Sequence, residues 1–196
     1  RLLHHAFATS YPAFNLLRKL KYFTGYDRSI YLRVLLYHDI APQEHVYFER
    51  QLGWLSRHWT FISPEKFAAV ISGKEKIQNK SLLLTFDDGF SSNLEVAKKI
   101  LNPMGIQALF FVVSDLVAIE DREEARQFIV RHVQPGLSME KLPPYLNSMK
   151  WSDLELLLEQ GHTIGAHTRS HARLSEISSS DGLEDEIVSS ADSLGN

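Results

Sequence analysis

Short apolar runs rich in β-branched and aromatic side chains recur along the chain, and each gives way to polar residues and then to a helical spacing. The runs lie at 31–37, 81–86, 108–113 and 162–166. Buried strands alternating with helices are the pattern of βα units on a mostly parallel sheet, so an α/β fold with four strands is predicted. Residues 64–71 predict a helix with Ser63 as its N-cap. Residues 94–101 predict another, stopped by Asn102 and Pro103. A third is predicted over 151–160, with Ser152 as N-cap, Glu155 three residues later in capping-box spacing, and Gly161 closing it.

Three stretches fall outside this alternation. Residues 115–150 insert a charged, helical segment (122–133) and a Pro143-Pro144 break between the third strand and the helix that should follow it. Following a strand, this insertion is expected to overhang the mouth of the sheet and either shape a substrate groove or meet a partner. The tail, 175–196, reads as a Ser-rich connector and then a helix with Ile187, Val188 and Leu194 on one side. Residues 1–30 read as a helical extension, in which Arg18, Lys19, Lys21 and Arg28 beside Leu16, Leu17, Leu20, Tyr22 and Phe23 could lie on a membrane surface or pack on the domain that follows. The remainder, 31–196, is taken as one domain.

Composition narrows the chemistry. At 196 residues and 44% hydrophobic, the chain can bury one sizeable core. A formal charge of -3, from 21 Lys+Arg against 24 Asp+Glu, argues against nucleic acid as a partner. With no cysteine, thiolate catalysis, zinc–cysteine clusters and disulfides are excluded, and any metal must sit on His and carboxylates. The longest apolar run is far short of the roughly 20 residues that span a bilayer, so no transmembrane segment is predicted. The opening residue, Arg1, predicts a natural start further upstream, and leaves bacterial cytoplasm and cell envelope both open.

Two clusters carry the candidate chemistry. The second strand runs into Thr85-Phe86-Asp87-Asp88-Gly89-Phe90, with two adjacent carboxylates where a buried strand emerges into a loop. Like charges so close call for a cation or a shared proton, although Asp-Gly is also ordinary turn chemistry. The fourth strand runs into His167-Thr168-Arg169-Ser170-His171. Imidazoles at that spacing can reach one ion, although an isolated pair is more often two solvent-facing histidines at a helix start. In parallel α/β folds all strand-to-helix loops open on one face, so Asp87, Asp88, His167 and His171 should converge there. Two His and a carboxylate with an open position are the ligand set of a hydrolytic zinc site.

These motifs resemble those of the polysaccharide deacetylase family, the NodB homology domain of carbohydrate esterase family 4. Thr-Phe-Asp-Asp-Gly is similar to its first motif and His-Thr-Arg-Ser-His to its second, in the same order. Val34-Leu35-Leu36-Tyr37-His38 looks like its first strand, Ala108-Leu109-Phe110-Phe111-Val112 like a later one, and the stretch from Trp151-Ser152 to Gly161-His162 like the helix leading into the second motif. The resemblance implies a distorted TIM-like (β/α) barrel and a metal-dependent hydrolase removing acetyl from N-acetylhexosamine units of a glycan, such as a bacterial surface polysaccharide. It further implies Asp87 as general base, and Asp88, His167 and His171 as ligands of a divalent metal, zinc first, with cobalt or another divalent ion as alternatives. Spacing alone does not choose between the two Asp residues; the resemblance does.

His38 should open on the same face as a substrate-binding residue, or serve structurally; His162, at the opposite end of its strand, reads as structural, and Trp151 and Phe90 as packing residues. The family's base-orienting Arg and general acid His find no match here, and the barrel's C-terminal strands are expected from a longer chain or another copy. Two other functions share these motifs: a catalytically silent, metal-containing glycan-binding or assembly domain, and an amidohydrolase acting on a small non-sugar amide.

Overall fold

A computed structural model describes residues 31–195; the extension expected over 1–30 lies outside the described residues. Strands β1 (Leu32–Tyr37), β2 (Thr60–Phe61), β3 (Ser81–Phe86), β4 (Ala108–Val112) and β5 (Thr163–Ala166) form one sheet in the order β1-β3-β4-β5, with β2 beside the start of β3. Every pairing is parallel. No helix among the described residues is long and apolar enough to cross a membrane.

Strand β3 is buried along its whole length, which is why it reads as a continuous apolar run rather than an alternating one. One face of the sheet carries Leu84, Phe86, Ala108, Phe110 and Val112 against the helices, and the core lies between them. Phe86 stacks on Phe110 with ring centroids 5.1 Å apart, and Tyr37 stacks on Phe86 at 5.9 Å. The opposite face is open at β1, where Val34 and Leu36 remain about half exposed.

Helix α1 (His45–Leu55) escaped the sequence reading: its buried stripe is only Phe48 and Leu52, and Gly53 interrupts the helical spacing. The two-residue strand β2 was also missed, being too short to carry a period. Helix α2 (Pro64–Ile71) starts as expected, with the Ser63 hydroxyl accepting from the Lys66 N–H. Helix α3 (Ser91–Val96) begins earlier than expected and continues through a π-type turn to Leu101. Short helix α4 (Ser114–Val117) and helix α5 (Arg122–Phe128) lie in the insertion, α5 running on through a second π-type turn, Ile129–Val133. Helix α6 (Trp151–Glu159) is capped two residues before the expected Ser152: the Lys150 N–H donates to Asp153 Oδ2. Gly161 closes it with φ 83.

In the tail, α7 (Ser180–Glu184) continues through Asp185–Ser189 into α8 (Ser190–Gly195). Its inward face differs from the expected one. Ile187 and Val188 are half exposed, whereas Glu186 and Ser190 are buried, and only Leu194 of the expected apolar set packs on the core.

His162 is structural, as read. The Ala108 N–H donates to its Nδ1, so Nε2 carries the proton and donates to Asn102 Oδ1 at 2.9 Å. Burial drives its pKa down to about 4.

Candidate metal centre

Sheet register brings the two motifs to one level. Phe86 of β3 pairs with Phe110 of β4, and Val112, two residues on, pairs with Ala166 of β5. Asp88 is therefore level with Ala166, and His167 follows directly. Strands β3 and β5 are separated by β4, about 10 Å at ordinary strand spacing, a gap that side chains must close from both sides.

Backbone geometry helps them. Asp88, Thr168 and His171 have φ values of 72, 63 and 62, and they are the only non-glycine residues at positive φ among the described residues. Left-handed backbone costs an L-residue about 1 kcal/mol or more, and for a β-branched threonine it is a true outlier. Strain concentrated in two loops that meet is a mark of a functional site.

Where the loops meet, Asp88 Oδ1 lies 3.5 Å from His167 Nε2 and 3.5 Å from His171 Nε2. That is too long for hydrogen bonds. It is close to the separation of about 3.4 Å between two ligand atoms each about 2.1 Å from a tetrahedral ion. One donor atom from each of the three residues lies within 4.8 Å of the others. Asp88 is 3% exposed, and its Oδ1 has no hydrogen-bond donor among the described residues. A buried carboxylate oxygen facing two imidazoles without a donor fits a divalent cation. Burial pushes the Asp88 carboxyl up, the imidazoles of His171, His38 and His167 pull it back, and the charge of Asp87 adds to the rise.

The tautomer of His171 follows from its other nitrogen. Nδ1 is 2.9 Å from the backbone carbonyl of His132, which can only accept, so Nδ1 carries the proton and Nε2 offers its lone pair toward Asp88. Asp87 is 7% exposed, its N–H donates to the Tyr37 carbonyl, and its Oδ1 is buried without a donor among the described residues. His38 is exposed at the end of β1. Phe90 is fully buried in the core of the insertion, and Trp151 is partly exposed.

Several supporting groups were invisible in the sequence. Asp39 accepts from the Ser92 hydroxyl at 2.6 Å and from the Tyr145 hydroxyl at 2.9 Å, tying β1, α3 and the insertion together. Burial first, and then the bond to Asp39, hold the Tyr145 phenol up to about 12. The insertion packs Leu116, Ala125, Ile129, Leu142 and Leu146 around Phe90 and Val113 in a second core, apart from the one under the sheet. It joins the first motif where the Met149 N–H donates to the Gly89 carbonyl and the Ser91 N–H to the Asn147 carbonyl. No local pattern marks such long-range partners in advance.

This parallel α/β sheet, with two acids at the end of one strand and two imidazoles beyond another, belongs to a known class. The chain is a member of the polysaccharide deacetylase family, whose sequence pattern matches residues 74–196. It is 26% identical over 119 residues to YxkH of Bacillus subtilis strain 168, which carries a polysaccharide deacetylase assignment; the match takes in 56% of this chain and 41% of that protein. The chain thus spans well under half the length of that relative. Its fold is similar to that of IcaB from Ammonifex degensii (TM-score 0.64, 20% identity, covering 86% of this chain and 72% of that one). It is also similar to the Streptococcus pyogenes deacetylase PplD, solved with acetate (TM-score 0.61, 21% identity, covering 84% and 70%). At these identities the two structures speak to the fold alone.

Proposed function

We propose that the chain carries a metal-dependent deacetylase centre that hydrolyses acetyl groups from N-acetylhexosamine units of a glycan. In this reading Asp88, His167 and His171 hold a divalent ion, zinc first, and Asp87 is the general base. The observation that carries it is the pair of imidazole nitrogens, each 3.5 Å from one buried, donorless oxygen of Asp88.

When bound, the ion supplies Lewis acidity, lowering the pKa of a water toward about 7 and polarising the acetyl carbonyl. The protein's own groups do the rest. Asp87, next to the ligand but with a separate buried oxygen, accepts the water's proton as the carbonyl carbon is attacked. The C–N bond then breaks, acetate departs, and the proton is passed to the amine nitrogen. His171, its Nδ1 proton engaged by the His132 carbonyl, keeps one orientation throughout. His38, at the end of β1, borders the same rim and contacts the sugar.

The test is Asp87→Asn, assayed for acetate release from an N-acetylhexosamine oligosaccharide together with zinc content. Acetate release should fall by about 10²- to 10⁴-fold while zinc stays bound. Undiminished release would refute the role of Asp87. Saccharide binding by the parent without turnover would instead favour a silent binding domain.

A further inference from the structure

The loop 167–171 holds both imidazoles, yet its backbone conformation is not one that a free chain adopts. Thr168 and His171 both sit at positive φ, and between them the N–H groups of Arg169 and Ser170 point the same way. Successive backbone N–H groups beside a left-handed residue form a nest that needs an anion. The tail helix supplies one. Glu186 is 6% exposed; its Oε2 accepts from the Arg169 N–H at 3.0 Å and the Ser170 N–H at 2.9 Å, and its Oε1 accepts from the Ser170 hydroxyl at 2.5 Å. Burial alone would raise its pKa, but the bonds from Ser170 and Arg169 and the charge of Arg169 outweigh it and hold the carboxyl below its ordinary value. Around this contact Arg169 pairs with Asp185 at 2.9 Å, and the His171 N–H donates to Thr168 Oγ1 at 3.0 Å.

We infer that Glu186 is a positioning residue of the metal centre: its carboxylate fills the nest at Arg169 and Ser170 and holds loop 167–171 in the turn that directs His167 and His171 at Asp88. It touches neither imidazole and acts through the backbone between them. Glu186 lies on the inward face of the tail with Ser190, and an apolar residue at its position would leave the N–H groups of Arg169 and Ser170 without the acceptor they have now. The inference rests on the reading of Asp88, His167 and His171 as ligands.

The experiment is zinc titration of the full chain and of Glu186→Ala, Glu186→Asp and Glu186→Gln, with Asp88→Asn as control and thermal melts of each metal-free form. The parent should bind one zinc and the control should lose it. Glu186→Ala should bind about 10-fold or more weakly, as is usual when a group supporting a ligand is removed. Glu186→Gln should stay within a few-fold of the parent, because its amide oxygen still accepts from both backbone N–H groups and its NH2 can donate to the Ser170 hydroxyl. Glu186→Asp, one methylene short, should behave like the alanine variant, and it decides the matter if Glu186→Ala does not fold. Parental zinc affinity in a folded Ala or Asp variant, with only the melting temperature lowered, would overturn the inference. Equal binding by the parent and Asp88→Asn would overturn the ligand assignment itself, and the inference with it.

Discussion

Replacing Asp88 by Asn should make the metal-free protein more stable and the metal-treated protein less so. Asp88 is 3% exposed, and its Oδ1 has no donor among the described residues. In the absence of a cation an ionised carboxylate is therefore desolvated with little in return. Asn has the same shape, carries no charge, and tolerates the φ of 72 at this position about as well as Asp does. Relief of the buried charge should be worth about 1–2 kcal/mol. For a chain of this length that is a rise of roughly 2–8 °C in melting temperature. Zinc at about 100 times its Kd adds about 2.7 kcal/mol to the parent and nothing to the variant, so the order of stabilities reverses. The assay is differential scanning fluorimetry with chelator and with zinc. A variant that melts below the parent in chelator, or gains as much from zinc, would refute the argument. Asp88→Ala, which removes the same charge but suits the left-handed backbone less well, should fall about 1 kcal/mol short of Asp88→Asn.

Gly89→Ala should cost ~2 kcal/mol or more, because φ is 80 and the new Cβ would stand 3.1 Å from two atoms of the Val112 side chain; Gly105→Ala, with φ 67 but open space, should cost only ~1 kcal/mol, and urea midpoints compare the two. Folded His162 has a pKa of about 4 against an ordinary 6.5, so above pH 6.5 it is neutral in both states, and between pH 6.5 and 4 only the unfolded chain takes up its proton. Stability present above pH 6.5 should thus be lost as pH falls toward 4, by at most ~3 kcal/mol and less where water reaches the ring; His162→Gln should flatten that part of the urea-stability profile. Nitrogen NMR of the metal-free protein at neutral pH should find His171 protonated at Nδ1 and His162 at Nε2, and the opposite assignment at His171 would remove the role of the His132 carbonyl.

What could be read in advance divides along the range of the interactions involved. Strand β3 was legible because burial on both faces leaves an unbroken apolar run, and helix α2 because Ser63 caps it through a bond only three residues long. Both motif clusters were legible because unusual residue types stand together where a strand ends. Helix α1 was not, since two buried side chains leave too weak a stripe. The inward face of the tail was misread for a different reason. Sequence reading assumes that apolar residues face inward, and here a carboxylate does so because the backbone of a loop some 16 residues earlier in the chain needs an acceptor. The supports of the site, Glu186, the His132 carbonyl and the Asp39–Tyr145 pair, are all long-range contacts of this kind.

Those supports bear on how the insertion should be understood. A segment hanging over the mouth only to select substrate would touch the rim and leave the two motif loops to themselves. Here the carbonyl of His132 engages the imidazole of His171, Tyr145 bonds the residue after His38, and 147–149 bond the backbone around Gly89 and Ser91. Both motif loops thus have a partner from the insertion, and each has a second from elsewhere: the Tyr37 carbonyl of β1 for the first and Glu186 of the tail for the second. The insertion is in turn stiffened by Arg126, whose guanidinium donates to the carbonyls of Leu142, Pro143 and Leu146. Arg126→Met keeps much of the stem packing while removing those three bonds. It should therefore lower zinc affinity as well as glycan selectivity, and a variant that changes selectivity alone would separate the insertion from the metal centre.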